Sequence, residues 1–406
     1  MALATPVQHP ARPETELLSE GFVLDSGIIA RLRSLGVRAL WVRHDAMADL
    51  PFVIAQELTD KRQAVYEQLR KDFARMDARF ITAGQLNLYR RVLMELVCEL
   101  LSSRRFAGMA DYLFEEGSDL FQHGANVAYL SLLTGVSLEN YIVRERPRLA
   151  LEHSKDLTNL GLGGMLHDLG KVERTAGAAA RRHEVDAADP AASESDGNGG
   201  QGDDAESLAV YRRHPLLGYQ MLRQARGPAS ATVCVLTHHS RFDGTGWPDM
   251  THLSQGRIEG PLKGRQIHVF ARIVSAANVL DNLMREADGS RLPPIVALHR
   301  LRQSDFAGWF DPVVQDAIIR SLPPFPMGAH VRLSDGSDAA VVTPNLEQPC
   351  RPSVRLLSEH QRDSEGRYRT IPLEQHPELS IVECAGTDVQ PWLFDMPPRK
   401  SVAPAA

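Results

Sequence analysis

The residues best suited to chemistry are histidines that stand next to a carboxylate or next to each other. His167 precedes Asp168, and His238 precedes His239. A carboxylate can bridge two cations, and an imidazole can bind one of them. These residue types predict a metal site with nitrogen and oxygen ligands, of the kind that suits iron or manganese rather than a cysteine-rich zinc site.

The spacing around His167 adds a place for an anion. Adjacent residues of a helix point about 100° apart, so His167 and Asp168 can both reach one cavity between helices. Lys171 follows four residues after His167, on the same helix face. A lysine there would repel a metal ion but attract a phosphate group. The alternative is a surface lysine in the last turn of a helix.

Two further histidines complete the pattern. His123 lies in a predicted helix over 119–135, and His214 precedes a proline at the start of another helix. A single histidine on an apolar helix is more often a core residue than a ligand. The order His-Asp, Gly-Lys, His-Pro and His-His, followed by Asp-Gly-Thr-Gly-Trp-Pro, is far more specific and predicts a metal site.

Composition narrows the classes of function. The chain has 406 residues, 43% of them hydrophobic, and a formal net charge of −6. This charge argues against a nucleic-acid polymer as partner, because proteins that bind one usually carry a basic excess. No apolar run approaches the roughly 18 residues of a membrane span. The isolated cysteines fit a reducing compartment, so we expect a cytoplasmic protein; they are Cys98, Cys234, Cys350 and Cys384.

Apolar periodicity predicts a mainly α protein with a small unit at each end. The predicted helices of the bundle are 86–101, 119–135, 157–171, 207–224, 228–239, 267–286 and 311–321. An N-terminal α/β unit is predicted from strands at 21–24 and 37–42 and a helix at 28–35. A C-terminal β unit is predicted from strands at 330–333, 339–342 and 354–357.

These patterns divide the chain into six segments. In chain order we expect a flexible N-terminus (1–16), an α/β accessory unit (17–57), connector helices (58–105), the helical domain (106–322), a β unit (325–386) and a tail (387–406). Residues 175–206 hold almost no large apolar side chain, so we expect a disordered insertion there. The apolar stripe of the connector makes 58–105 a candidate homodimer contact, the alternative being a plain linker helix.

From about residue 115 to about residue 325 the chain resembles the HD-GYP family, a branch of the HD phosphohydrolase superfamily. The matching segments are Leu166-His-Asp-Leu-Gly-Lys171, His214-Pro215 with Gly218, His238-His239, Arg241, Asp243-Gly244, Gly246, Pro248 and Ala271-Arg-Ile-Val274. Members of this family are all-α, hold two or three metal ions that are commonly iron or manganese, and hydrolyse cyclic di-GMP to pGpG or GMP. The resemblance implies an HD-type helical bundle and a bacterial second-messenger phosphodiesterase with two divalent ions.

The resemblance also implies roles for individual residues. The metal ligands are His123, His167, Asp168, His214, His238 and His239, with Asp168 as the bridging, catalytic carboxylate. Lys171 matches the family lysine that meets the substrate phosphate, where it would offset charge on the phosphoryl oxygens. The other residues that the resemblance places at the substrate are Arg241, Asp243, Gly244, Trp247 and Arg272.

Four positions depart from the family pattern. The last metal-binding aspartate of the family falls on Asn278, whose neutral oxygen would hold its ion less tightly, and Asp281 could provide a substitute oxygen one turn later. The glutamate of three-metal members falls on the shorter Asp119, which disfavours a third ion. Ser240 replaces a glutamate, and Trp247 replaces the tyrosine of the GYP signature.

Two functions remain open at this point. One is an enzyme that hydrolyses cyclic di-GMP; the other is a weakened module that binds cyclic di-GMP or a signalling partner without turnover. The intact ligand positions favour the enzyme. By resemblance, the loop at 243–248 is a contact surface for diguanylate-cyclase-type domains; a turn that packs Trp247 into the core is an equal alternative.

Overall fold

The computed structural model describes residues 1–9, 12–37, 40–48, 65, 68, 81–102, 120–171, 211–286, 291–358, 362 and 365–396. The predicted insertion at 175–206, Asp119 and most of 58–80 lie outside these residues. The strands are β1 (Ala2–Leu3), β2 (Val7–His9), β3 (Arg12–Leu18), β4 (Val42–Arg43), β5 (His330–Leu333), β6 (Asp338–Thr343), β7 (Ser353–Leu356), β8 (Thr370–Pro372), β9 (Ile381–Cys384) and β10 (Thr387–Asp388). The α-helices are α1 (Ser26–Ser34), α2 (Ala83–Ser102), α3 (Leu120–Ser137), α4 (Glu139–Glu145), α5 (Leu151–Lys155), α6 (Thr158–Leu166), α7 (His214–Gln224), α8 (Ala229–Thr237), α9 (Val269–Leu283), α10 (Pro294–Arg300) and α11 (Pro312–Ser321).

The short helix α6 forms the centre of the helical domain and packs against α2, α3, α8 and α9. Its glycines allow this crowding. A Cβ atom at Gly164 would lie 3.0 Å from Ala128 Cα in α3, and one at Gly163 would lie 2.7 Å from Cys234 Cβ in α8. The backbones of α3 and α8 therefore approach α6 closely, and the residues that follow α6 lie between its neighbours.

The mainly α fold class is confirmed. The helices predicted at 86–101, 119–135, 228–239, 267–286 and 311–321 are present, with ends that differ by a few residues. The helix predicted over 157–171 ends at Leu166 and continues after a break as a 3₁₀ turn, Leu169–Lys171. The helices α4, α5 and α10 were not predicted, because each has seven residues or fewer and shows little periodicity.

The C-terminal strands form one antiparallel sheet in the order β10-β9-β5-β6-β7-β8. Its buried side chains, such as Val331 and Val341, belong to the same hydrophobic core as the helices. The three predicted strands correspond to β5, β6 and β7. The expected tail at 387–406 is wrong over 387–396, because β10 joins the sheet, Val389 is fully buried and His299 Nδ1 donates to the Trp392 carbonyl at 3.0 Å.

The N-terminal unit differs from its prediction. The expected flexible segment at 1–16 contributes β1, β2 and β3, because Leu3 and Val7 are buried with Leu32 of α1 in a small separate core. Prolines are compatible with edge strands and turns, so they did not exclude strands here. The predicted strand at 21–24 is reduced to one bridge between Val23 and Ala2, and the strand predicted at 37–42 is present only as β4.

The predicted helix of the N-terminal unit is present as α1, where Asp25 accepts a hydrogen bond from the Ile28 backbone N–H. Arg355 of β7 donates to the Ala46 carbonyl at 2.6 Å and joins this unit to the C-terminal sheet. Among the described residues, none of the helices has the length and apolarity needed to cross a membrane.

Candidate metal centre

Five helices bring the predicted ligands to one place. His123 lies on α3, Asn278 lies on α9, and the remaining ligands lie at helix ends. His167 and Asp168 follow the last residue of α6, His214 is the first residue of α7, and His238 and His239 follow α8. Gly170 allows the turn after α6 to approach α7, since a Cβ atom there would lie 2.0 Å from the His214 carbonyl oxygen. The structure thus collects side chains that are up to 155 positions apart in sequence.

Three of the histidines are oriented by backbone carbonyls. Nδ1 lies 2.7 Å from the Gly164 oxygen in His167, 2.7 Å from the Tyr211 oxygen in His214 and 2.9 Å from the Val235 oxygen in His238. Because a carbonyl only accepts, each Nδ1 carries the proton. In the neutral imidazole, Nε2 is then a lone-pair donor that faces the cavity.

His123 is oriented differently. Its Nδ1 donates to Asp281 Oδ2 at 2.7 Å, and its Nε2 lies 2.9 Å from Asn278 Oδ1. The second Asp281 oxygen accepts from Asn126 at 2.8 Å, and Arg285 pairs with Oδ2 at 3.0 Å. Asp281 therefore does not serve as the substitute metal oxygen that its spacing suggested, since both of its oxygens have donors, from α3 and from Arg285 just beyond the end of α9.

The inward-facing atoms converge on Asp168. His214 Nε2 lies 3.1 Å and His238 Nε2 lies 3.7 Å from its Oδ1, and these two nitrogens are 3.2 Å apart. On the other side, His167 Nε2 lies 3.4 Å and His123 Nε2 lies 3.8 Å from Oδ2. Unless a ring gains an extra proton, lone pairs face one another on both sides of one carboxylate.

Extra protons are disfavoured on part of this cluster. Burial, together with neighbouring imidazoles, holds the pKa of His238 and of His239 well below the usual value. Burial would also raise the pKa of Asp168, but His167 and Lys171 beside it hold that pKa well below its usual range, so the carboxylate is ionised. Burial disfavours the charged form of His167 as well, yet the Asp168 carboxylate raises its pKa.

The donor set fits divalent metal ions. His167 Nε2 and His239 Nε2 are shielded from solvent and make no hydrogen bond. Buried polar atoms without a partner are rare and need an explanation. The ligand atoms form two groups in which all atoms lie within 4.8 Å of one another, namely His123 with His167 and Asp168, and His214 with His238 and His239. Imidazole and carboxylate ligands without thiolate suit first-row divalent ions.

Lys171 lies at the edge of this cluster. Its Nζ pairs with Asp168 Oδ2 at 2.9 Å and lies 5.0 Å from the centre of the Tyr211 ring. Its side chain is 22% exposed, so the ammonium group reaches both the buried site and solvent. Tyr211 was not predicted. The available signal was its position three residues before His214, which places the two on one helix face.

The loop after His239 closes one wall of the site. The Trp247 ring stacks on the His239 ring, with centroids 3.9 Å apart and planes at 15°. Asp243 Oδ1 accepts from the Thr245 backbone and hydroxyl groups, and the Arg241 guanidinium lies 3.2 Å above the Trp309 ring. Gly244 has a φ of +88°, a conformation that favours glycine. The loop is thus a packed turn whose tryptophan supports a predicted ligand.

Arg272 is not part of the site. It is 4% exposed and donates to the Ile267 carbonyl, to Asp311 and to Glu145. These contacts occupy the guanidinium inside the helical domain, so the substrate role implied by resemblance is wrong. A guanidinium at this point of α9 faces buried carboxylates instead of the cavity.

Comparison with known proteins finds similarity to HD domains. The HD domain family model matches residues 203–314. The chain is 25% identical over 367 residues to the cyclic di-GMP phosphodiesterase PA4108 of Pseudomonas aeruginosa, which covers 83% of this chain and 78% of that protein. It is 31% identical over 117 residues to the cyclic di-GMP phosphodiesterase response regulator RpfG of Xanthomonas campestris, covering 28% of each chain.

Solved structures were also compared. Bd1817, an HDG"Y"P protein from Bdellovibrio bacteriovorus, is 16% identical, with a TM-score of 0.44 over 79% of this chain and 94% of that chain. The HD domain of the Listeria monocytogenes phosphodiesterase PgpH, in complex with cyclic di-AMP, is 12% identical, with a TM-score of 0.29 over 55% of this chain and 92% of that chain.

Proposed function

We propose that the chain is a member of the HD domain family and a metal-dependent phosphodiesterase that hydrolyses cyclic di-GMP. The observation that carries this proposal is the convergence of imidazole nitrogens on both oxygens of Asp168. The substrate is inferred from relatives named cyclic di-GMP phosphodiesterases, one of which spans most of this chain. Hydrolysis of one phosphodiester bond gives pGpG, and hydrolysis of the second gives GMP.

Two ions, iron or manganese, fit the two ligand groups. His123, His167 and Asn278 would hold one ion and His214, His238 and His239 the other, with Asp168 shared between them. Bound divalent ions supply Lewis-acid activation of water and of the phosphate oxygens. The site has no anionic group at 278, so the ion beside His123 is the weaker of the two. Asp119 lies outside the described residues, and its side chain, one methylene shorter than the glutamate of three-metal members, disfavours a third ion.

The residues of the chain itself bind and orient the substrate. Lys171 presents an ammonium group beside the buried carboxylate, where it would contact a phosphoryl oxygen and offset charge that develops there. Arg241 lies flat on Trp309, which leaves N–H groups in the guanidinium plane for a second phosphate or a guanine edge. Trp247 holds the His239 ring in place.

The enzyme hypothesis is tested with purified protein that has been stripped of metal. The protein is then reloaded with Mn²⁺, or with Fe²⁺ under anaerobic conditions. We expect cyclic di-GMP to be converted to pGpG, which chromatography detects. We expect the Asp168→Ala variant to form no pGpG. Asp311→Asn is the matched control, because it alters a buried carboxylate outside the site and should retain turnover. Tight binding of cyclic di-GMP without turnover by the metal-loaded wild type would contradict the enzyme and support the binding module.

Two partner assignments belong to the same proposal. The loop at 243–248 would contact a diguanylate-cyclase-type domain through its exposed residues. The helix α2, within the connector at 58–105, exposes Met94 (53%) and Leu101 (47%) on one side, two turns apart. Two copies that pack these side chains together would bury both from solvent. We expect light scattering to show a dimer of the wild type and a monomer of Met94→Glu. A monomeric wild type would contradict the proposed dimer contact.

A further inference from the structure

One ligand histidine is oriented by a charge, whereas three are oriented by neutral groups. The Nδ1 atoms of His167, His214 and His238 donate to backbone carbonyls, but that of His123 donates to Asp281. His123 is also the ligand that faces Asn278. We infer that Asp281 is a positioning residue that fixes the metal-binding tautomer of His123 and supplies, through that ring, the negative charge that Asn278 lacks. The inference rests on the proposed metal site.

The surroundings of Asp281 support a role behind the His123 ring and argue against direct contact with an ion. Asp281 is fully buried. Its Oδ1 accepts from Asn126 at 2.8 Å, while its Oδ2 accepts from His123 at 2.7 Å and pairs with Arg285 at 3.0 Å. Donors from α3 and from the turn after α9 thus hold both oxygens, and the carboxylate keeps a single orientation toward Nδ1.

The chemical consequence follows from the ring. A carboxylate that accepts from Nδ1–H fixes the tautomer and raises the basicity of Nε2, and such partners change metal affinity by about 10–100-fold. A backbone carbonyl fixes the same tautomer but brings no charge. Because Asn278 is neutral, Asp168 is the only anionic group among the described residues that faces the ion beside His123. Asp281 adds a negative charge one ring away from that ion, which the partly exposed Arg285 reduces without cancelling.

The first test needs no substitution. The side-chain ¹⁵N shifts of the metal-free protein report the tautomer of each histidine, and His123→Gln identifies the His123 signals by their loss. We expect His123 to carry its proton on Nδ1. A proton found on Nε2 alone would overturn the inference, because the ring would then present no lone pair to an ion.

The second test removes the charge but keeps the shape. Asp281→Asn retains an oxygen that can accept from Nδ1–H. In Mn²⁺ titrations of the metal-free protein, we expect the weaker site of Asp281→Asn to lose about 10–100-fold in affinity. The control is Asp311→Asn, the same change at a buried carboxylate paired with Arg272, which should leave both affinities unchanged. An Asp281→Asn affinity within twofold of wild type would overturn the inference.

A third variant separates charge from fold. Asn278→Asp in the Asp281→Asn background returns one negative charge to the same ion, so the affinity of the weaker site should recover. An unrecovered affinity would assign the loss to altered packing and overturn the compensation. Failure of the proposed function would give a different result. The wild-type protein would then bind no Mn²⁺ in the same titration, which would overturn both the proposed metal site and the role of Asp281.

Discussion

Two buried polar clusters lie on α9, and they differ in how donors and acceptors are matched. Near its start, Arg272 donates to the Ile267 carbonyl at 2.8 Å, to Asp311 at 2.7 Å and to Glu145 at 2.5 Å. Tyr141 completes this cluster by donating to Asp311 at 2.6 Å. Two turns later, Asn278 faces a cluster in which nitrogen and oxygen lone pairs converge on Asp168 with few donors between them.

The balance of hydrogen-bond donors and acceptors distinguishes a structural cluster from a metal site. Burial, with a hydrogen bond to Asp311, raises the pKa of Tyr141 to about 12, so its hydroxyl keeps its proton and stays a donor. In this cluster each charge meets an opposite charge or a donor, so the protein alone satisfies it. At Asp168 the acceptors exceed the donors, and a cation restores the balance. Both clusters would look alike in a count of buried charged residues.

The largest expected effect is at the shared carboxylate. Asp168→Ala should abolish turnover and remove most bound metal, because the carboxylate faces both ligand groups. We expect a loss of about 100–1000-fold or more in kcat, the scale on which single electrostatic groups act in active sites. Metal analysis and kinetics on the same sample measure both effects. An unchanged number of ions per chain would contradict a shared carboxylate.

Arg272 should show the opposite behaviour. Arg272→Met removes the buried cation that pairs with both Asp311 and Glu145, and breaking such a pair costs about 3–5 kcal/mol of unfolding free energy. Denaturant unfolding measures the loss. Metal content per folded chain should stay at the wild-type value, since no atom of Arg272 faces the site. A variant that keeps its stability but loses metal would reverse the assignment of the two clusters.

A substitution at Asn278 should strengthen metal binding instead of weakening it. Asn278→Asp adds an anion 2.9 Å from the His123 nitrogen that faces the cavity, so Mn²⁺ affinity of the weaker site should rise by about 10-fold. Titration of metal-free protein measures it, with Asn140→Asp on the exposed side of α4 as the control for added charge. No change at 278, or an equal rise at 140, would remove Asn278 from the ligand set.

The smallest expected effect is a pH dependence at the Arg272 cluster. Burial, aided by Arg146 and Arg272, lowers the pKa of His268 to about 4, and its Nδ1 accepts from the Phe270 backbone at the start of α9. The folded state therefore favours the neutral ring. The stability that this ring contributes is present above the unfolded pKa of about 6.5 and is lost as the pH falls toward 4.

His268→Gln should flatten this part of the pH profile. Each kcal/mol that the neutral ring contributes corresponds to roughly 2–4 °C in Tm for domains of 150–250 residues. Thermal unfolding of the metal-free protein between pH 7 and pH 4 measures it. Parallel profiles for wild type and variant would show that His268 does not titrate in this range.

The sequence predicted the metal-ligand residues better than the residues that orient them. The ligands follow an ordered motif of rare residue types, and the structure brings all of those in the described residues together. The role of Asp281 and the contacts of Arg272 depend on which donors lie on other helices, and no local spacing reports that. Tyr211 and the ring stack of Trp247 on His239 were missed for the same reason.

The fold shows a similar division. Long helices were predictable because their periodicity extends over several turns, as in α3 and α9. Most of the strands that were missed are short, and some pair with distant segments, as Ala2 of β1 does with Arg43 and Cys384 of β9 does with Val331. Val389 gives no local sign that it is buried, so the end of the sheet was read as a tail.

Anomalous diffraction from crystals of the protein loaded with Mn²⁺ tests whether two ions share Asp168. We expect two anomalous peaks next to Asp168, one beside His123 and His167 and one beside His214, His238 and His239, and no peak beside Arg272. Crystals that give no peak at Asp168, while their Mn²⁺ solution is in excess, would contradict this expectation.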